Sequence, residues 1–531
     1  LQNNNALNYR FFEDWNTPKH FPGFPASGRI RAYVDPESGL LNIIDHAGNP
    51  ALNVQNTAFP TPAWFNVKAY GAKGDARAVA DAITSGSNVV SSATANFTQA
   101  DVGKTCWGIQ DGFAAGIARV PMCTITAVID SSTVHVSSLG NQPGDTLNFV
   151  LGTDDSDAII AACDAATNAA SSFAATTQAG MGTVYLPAGG YIVSKLCINP
   201  LQPPGFNVLG DGPRKTVFFP APGGASGNPG WDFTGSGEGS GMLLNTTNIP
   251  GSANLEVGNF SVNGLRATYP SPALPHTMLD VSHVNYVHDI IIENLGVAGG
   301  TSAAIGGFGS SGGKQGVWRN LLASACLAGT GTGITVLGGG GTLEFCFATN
   351  GYQGLTIQNV NQGTSFADFG DFLAVVGCLV DEGGAVSQCQ VVNSSGVTFV
   401  GCGIWGNNTA PCMLVDGTSD VSIFGGSIGP FSYRDGASGL QILSGGTVRA
   451  AGVRIHKTGV GVGLVNAGTF FDIGGNQIDS ISGGGTVLSG MNNTTATSAS
   501  AGSHGAVPNQ VGGYVLANVN GTTVKIPYFP T

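Results

Sequence analysis

From about Gly205 to Gly485 the chain alternates short runs of β-branched and other apolar residues with Gly, Asn and Ser. Within each run apolar positions recur every second residue, which predicts strands with one face on a core. The segments SSGVTFVGCGI, TSDVSIFGGSI, GGTVRAAGVRI and GTFFDIGGNQI align on their last isoleucines, Ile404, Ile428, Ile455 and Ile478, spaced 24, 27 and 23 residues apart. FLAVVGCLV, ending at Val380, lies a further 24 residues upstream, and VNYVHDIIIENLGV, GVWRNLLASAC and GTLEFCFATN are looser members. Such a period with short strands and Gly or Asn corners predicts a β-solenoid, because one coil cannot bury its apolar interior until neighbours stack on it. Cys378 and Cys402 fall at equivalent places with Gly426 one step on. That predicts an interior ladder of small residues, with stacked thiols rather than a bridge.

The pattern changes at both ends. Residues 1–60 form a separate small unit in which SGRIRAYVDPESGLLNIIDHAGNP carries two β-like runs joined by a turn over Asp35–Gly39; NVQNTAFPTPA follows as a linker. Residues 61–204 form an opening and capping region, interrupted by a β-rich insert over 76–150. In it TDDSDAIIAACDAATNAASS has helical spacing, and Asp154, Asp155 or Ser156 can cap its start. Asp154, Asp155 and Asp157 are read as caps rather than calcium ligands, since the Gly and terminal Glu of a calcium loop are missing. The solenoid occupies 205–485. Beyond it, 486–531 is Ser/Thr/Asn-rich and then carries a hairpin pattern turning at Asn520-Gly521. A solenoid end exposes apolar surface and open strand edges, so a terminal cap or an oligomer contact is required there.

Composition narrows the classes. Of 531 residues 42 % are apolar and 10 % charged, and the 83 Gly are roughly twice the usual share, so the chain buries a core and is not a disordered polymer. The 20 basic and 32 acidic residues leave a net charge of −12 without a Lys/Arg run, against a nucleic-acid partner. No apolar run is long enough for a spanning helix, so no membrane insertion is expected. The 10 Cys include no CxxC pair, so buried thiols are expected over a disulfide framework. No metal site and no cofactor motif is found.

FNVKAYGAKGD (65–75), DDSDAIIAACDAA, GTVYLPAGGYIVS and VLGDG (208–212) together resemble the opening region of the pectate-lyase-like right-handed parallel β-helix superfamily. That superfamily includes polysaccharide lyases, polygalacturonase-type hydrolases, epimerases and bacteriophage tailspikes. The N-terminal SGRIRAYVDPESGLLNIIDHAGN and C-terminal GGYVLANVNGTTVKIPYFPT are similar to segments of phage tail proteins. The resemblance implies an all-β chain: a right-handed parallel β-helix with small β-rich domains at both ends, assembled as a homotrimer. It implies attachment to a phage tail or baseplate protein through the N-terminus, a place in the extracellular virion tail, and depolymerisation of a bacterial surface polysaccharide (capsule, exopolysaccharide or O-antigen). The β-rich insert departs from the pattern.

Glycoside hydrolysis needs two carboxyl groups, one as acid and one as base or nucleophile. Glu344 in GTLEFCF and Asp368 and Asp371 in TSFADFGDF are the first candidates, Asp368 lying 24 residues past Glu344, about one coil. A Glu followed one coil on by Asp-x-x-Asp is similar to the carboxylate set of some tailspike endoglycosidases, which implies that one of the three is the acid and another the base. The same aspartates can instead cap turns. Asp381 and Glu382 in CLVDEGG form an alternative pair. Phe366, Phe369 and Trp405 are candidates for stacking on sugars, with core packing the competing use of the phenylalanines. His288, Asp289 and Glu293 in YVHDIIIENL alternate with apolar residues as a solvated strand face does. A lyase or epimerase would need a base such as Arg319, Arg434, Arg449, Arg454 or Lys457; a non-catalytic receptor-binding spike would need none of these groups. The acidic balance favours a neutral glycan over a polyanion.

Overall fold

The computed structural model describes residues 31–34, 41–44, 50–52, 64–86, 88–110, 118–139, 146–171, 182–194, 198, 206–221, 241–245, 255–265, 268–269, 277–281, 284–294, 296–297, 303–308, 315–324, 332–337, 340–349, 353–360, 372–381, 387–406, 410–430, 438–458, 461–489, 513–519 and 522–528. The chain forms two compact units, Leu1–Pro62 and Ala63–Thr531. In the first, Arg31–Val34, Leu41–Ile44 and Pro50–Leu52 make an antiparallel sheet.

The second unit is a right-handed parallel β-helix. A regular coil has three strands, for example Leu373–Val376, Leu379–Val380 and Cys389–Val392, each pairing in parallel with its counterpart one coil on. Inward residues therefore stack in columns along the axis. One runs Val257, Val287, Trp318, Leu343, Val375, Phe399, Ile423, Ala450, all buried. Each fully buried Val, Leu, Ile or Phe stabilises by about 1.5–3 kcal/mol, but only once both neighbours are in place.

Between the first and second strand of each coil the backbone turns through one left-handed residue. The corner column is Asn259, Asp289, Asn320, Phe345, Gly377, Gly401, Gly425, Gly452 and Gly475, with φ from 51° to 70°. Gly, Asn and Asp tolerate this conformation; a bulky residue such as Phe345 does not. The next inward position carries Cys346, Cys378 and Cys402, all buried and free, followed by Gly426. A Cβ on Gly426 would stand 2.2 Å from the Cys402 carbonyl oxygen, so the ladder narrows there to a position only Gly fits.

At the N-terminal end the helix Ser156–Ser171 lays Ile159, Ala162, Cys163 and Ala166 over the first coil. The acids before it are caps and ties: Asp155 accepts the backbone N–H groups of Lys73 and Gly74 at 2.7 and 3.0 Å, Asp75 that of Thr153 at 2.8 Å, and Asp154 that of Ser156 at 3.1 Å. These bonds hold FNVKAYGAKGD against the helix across the insert. The segment Arg77–Gly152 is a closed antiparallel six-stranded barrel with its own core of Val90, Phe97, Val134, Leu147 and Phe149. At the other end Ile481 and Val487, stacked on buried Leu464 and Phe470, are 48 % and 41 % exposed, and among the described residues no further strand stacks on them. Gly513–Val519 pairs antiparallel with Thr522–Tyr528 on either side of Asn520-Gly521. Among the described residues no helix is long and apolar enough to cross a membrane.

Candidate active site

The outward face of the first strand in each coil carries two columns, fixed by parallel register. One runs Glu256, Tyr286, Val317, Thr342; the other Gly258, His288, Arg319, Glu344. Their alternation with the buried column turns these positions away from the core, although His288 is itself covered by its neighbours. Four consecutive coils thus bring a carboxylate, an imidazole, a guanidinium and a second carboxylate onto one strip, at about 4.8 Å per coil.

His288 is at the centre. Its Nε2 lies 2.9 Å from Glu256 Oε1 and its Nδ1 2.8 Å from Asp289 Oδ2, and the residue is only 7 % exposed. The Tyr286 ring stacks on it, centroids 4.4 Å apart and planes 24° from parallel. A side chain on Gly258 would strike the His288 ring at 2.8 Å, so glycine there gives the imidazole its seat over the Glu256 coil. Each of the two short contacts needs one proton, and ionised carboxylates bring none. The two ring nitrogens thus link the two carboxyl groups through one imidazole, each nitrogen facing one of them. The imidazole ring itself fills the space between the two carboxyl groups, which lie on either side of it.

Asp289 stays ionised. Burial would raise its pKa, but hydrogen bonds from His288 and from Asn320 Nδ2 (3.1 Å), with the charges of His288 and Arg319, outweigh it and hold the carboxyl below its ordinary range. Arg319 also faces Glu344, Nε to Oε2 3.9 Å, a loose and half-exposed pair that leaves both groups open to a ligand. Directly after Glu344, Phe345 occupies the left-handed corner and is 56 % exposed.

The structure puts Glu344 on this strip, but its neighbour one coil on is Val376, not Asp368. This corrects the expected register, since the connection from Glu344 to the next coil is longer than a regular repeat. Asp368, Asp371, Phe366 and Phe369 lie outside the described residues, as do Glu382 and Arg434. Asp381 and Trp405 follow the paired Val380 and Ile404, at equivalent places in consecutive coils beyond the left-handed corner, and the fold does not bring them to Glu344. The trio His288, Asp289 and Glu293 is not one solvated face: His288 is buried, while Glu293 pairs with Arg214 at 3.2 Å. Glu256 was missed altogether, because only the register shows that it and His288 are axial neighbours. Arg449 pairs with Asp420 and lies 5.2 Å over the Phe471 ring, three to five coils further along the axis. No group of His, Cys, Asp and Glu among the described residues could hold a metal ion.

No family model and no curated protein matches the chain. Among solved structures it is similar to the A-module of the Azotobacter vinelandii mannuronan C-5 epimerase AlgE4, at 14 % identity and TM-score 0.36, over 64 % of this chain and 96 % of that one. It is similar to the catalytic unit of a thermostable GH87 α-1,3-glucanase from Streptomyces thermodiastaticus strain HF3-3, at 12 % identity and TM-score 0.29, over 78 % and 88 %. It is also similar to the Gp54 tailspike of Acinetobacter baumannii bacteriophage AP22, in complex with A. baumannii capsular saccharide, at 10 % identity and TM-score 0.21, over 80 % and 66 %.

Proposed function

We propose that the protein is a phage tailspike that binds and depolymerises a bacterial surface polysaccharide by endo-acting hydrolysis on the outward strip from Glu256 to Glu344. The observation that carries this reading is the acid–imidazole–acid arrangement of Glu256, His288 and Asp289 on stacked coils of an otherwise charge-poor wall. The proton shared by Glu256 and His288 is the acid that assists the leaving sugar oxygen. Ionised Asp289 is the base that takes a proton from water, and water attacks the anomeric carbon as the glycosidic C–O bond breaks. Glu344 and Arg319 hold sugar hydroxyls on the adjoining coils, and Phe345 offers an exposed ring to a sugar face. Asp368 and Asp371, a few residues ahead of the strand stacked on Glu344, remain candidates for the same strip, with Asp381 and Trp405 on the next face and Glu382, next to Asp381 in sequence, as the alternative pair.

The motif resemblance supports the tail setting: a homotrimer in the virion tail, attached through its N-terminal unit to a tail or baseplate protein. The exposure of Ile481, Val487 and Leu488 at the end of the described coils supports assembly.

A second reading rests on Tyr286, His288 and Arg319. A base beside a guanidinium is also suited to removing the α-proton of a uronate whose carboxylate the Arg neutralises, as in a lyase or epimerase. The test is incubation with purified host capsule or exopolysaccharide, following reducing ends and ultraviolet absorbance together, with Glu256→Gln, Asp289→Asn and Glu344→Gln beside wild type. Reducing ends without absorbance, lost in Glu256→Gln and Asp289→Asn, are expected. Absorbance lost with His288→Ala would replace hydrolysis by elimination; neither signal on a glycan shown to bind would leave an epimerase if NMR shows inverted uronate configuration, and a receptor-binding spike if it does not.

A further inference from the structure

The inserted barrel takes no part in the site above, yet two of its cysteines are placed as partners. Cys106 on Thr105–Gln110 and Cys123 on Ala118–Asp130 stand directly opposite each other in antiparallel register. Their sulfurs are 3.5 Å apart, both unbridged. Facing residues of neighbouring strands hold their Cβ atoms about 4.5–5.5 Å apart and a disulfide needs about 3.5–4.5 Å, so closing the bond takes side-chain rotation and an approach of the two strands by up to about 1 Å.

The two sulfurs are chemically unequal. Cys106 is wholly buried, and its contact with Cys123, together with burial, pushes its thiol up. Cys123 is half-buried and reaches solvent; its contact with Cys106, reinforced by the backbone N–H groups of Ser138 and Ser137, favours its thiolate over the cost of burial. This is the division of labour of an attacking and a resolving cysteine. The coil thiols Cys346, Cys378, Cys389, Cys402 and Cys412 are all buried in the solenoid interior, where a dissolved oxidant does not reach them.

We propose that Cys106 and Cys123 form a cross-strand disulfide by exchange with a small-molecule disulfide of the glutathione class, stapling two strands of the barrel. The Cys123 thiolate attacks one sulfur of the oxidant, forming a mixed disulfide and expelling one thiolate, which takes up a proton. Cys106 then loses its proton and attacks Cys123 Sγ, expelling the second thiol. Two protein thiols are oxidised and one small-molecule disulfide is reduced to two thiols. This inference is independent of the proposed activity.

The experiment incubates the native full-length protein with oxidised glutathione, then alkylates in denaturant and maps peptides without reduction. A Cys106–Cys123 linked peptide is expected, with Cys163, Cys346, Cys378, Cys389, Cys402 and Cys412 alkylated. In Cys106→Ser the glutathione mixed disulfide is expected to persist on Cys123, because the resolving thiol is gone. Oxidised wild type is expected to melt above the reduced form, with no such difference in Cys106→Ser/Cys123→Ser. Recovery of both cysteines as alkylated thiols in the wild-type map, or of Cys123 bridged to another cysteine, would overturn the proposal whether or not the variants fold.

Discussion

Asp289 has two duties that a single substitution can separate. It occupies a left-handed corner with φ 51° and it accepts from His288 and Asn320. Asn tolerates the same backbone and has nearly the same shape, but it cannot act as a base. If Asp289 takes a proton in the reaction, Asp289→Asn lowers kcat by about 10²–10⁴ while the melting temperature barely moves. If it is only a corner residue, turnover on the cognate glycan stays near wild type. Phe345 is the opposite case, a bulky exposed residue held at φ 53° in a column otherwise made of Gly, Asn and Asp. Left-handed backbone costs an ordinary residue about 1–2 kcal/mol, and Asn much less. Phe345→Asn is therefore expected to raise stability by about 1 kcal/mol in chemical denaturation and to weaken glycan binding if the ring is a sugar platform. Unchanged binding would remove Phe345 from the site.

At the scale of the element, the coil owes its geometry to what stacks above and below it. Gly426 has φ 90°, and an added Cβ would meet the Cys402 carbonyl oxygen at 2.2 Å. Gly426→Ala must push two coils apart, and a loss of at least about 2 kcal/mol is expected in thermal or denaturant unfolding. A neutral result would mean that the coils can slide. The capping helix carries a different signal. Burial raises the pKa of Asp155 to about 6, over the lowering effect of the Lys73 and Gly74 N–H groups, with Asp75 and Asp154 adding repulsion. The folded state therefore binds a proton that an unfolded aspartate, at 3.8, has already released, and this contribution to stability fades as pH rises from 3.8 to about 6. Carboxyls whose pKa is lowered, such as Asp75, Asp101 and Asp289, act in the opposite sense and below that window. Melting temperatures measured between pH 4 and 6 should fall with pH in wild type and fall less in Asp155→Asn. Equal slopes would remove Asp155 as the cause.

For the whole molecule, the two solenoid ends differ. The N-terminal end is closed by the Ser156–Ser171 helix, whereas the last coil leaves Ile473, Ile481, Val487 and Leu488 between 41 % and 53 % exposed. Exposed apolar residues at this end of the described coils suit a partner surface, and a second and third copy of the same chain would supply it in the homotrimer proposed above. Sedimentation of the full chain should give three times the 53.6 kDa of one chain, concentration-independent down to micromolar protein. A monomer that stays soluble would show that the exposed end needs no partner.

The repeat alone determined that this chain is a solenoid. Alternation within short runs, Gly and Asn at corners, and a step near 24 residues leave no other way to bury the apolar half of each strand. The capping helix and the inserted β-rich segment were legible for the same reason, since both depend on local pattern and on punctuation by Gly, Pro and Asp. Glu344 was found as an acid in a charge-poor wall, but its company was not. In the coils from Glu256 to Glu344 connections vary in length, so counting residues paired Glu344 with Asp368, whereas hydrogen-bonded register pairs it with Val376 and sets Arg319 and His288 on its other side. A strand discloses which residues share its face; which residues become axial neighbours depends on the loops between strands. Only the tertiary structure decided that, and with it the joining of Glu256, His288 and Asp289 into one hydrogen-bonded group.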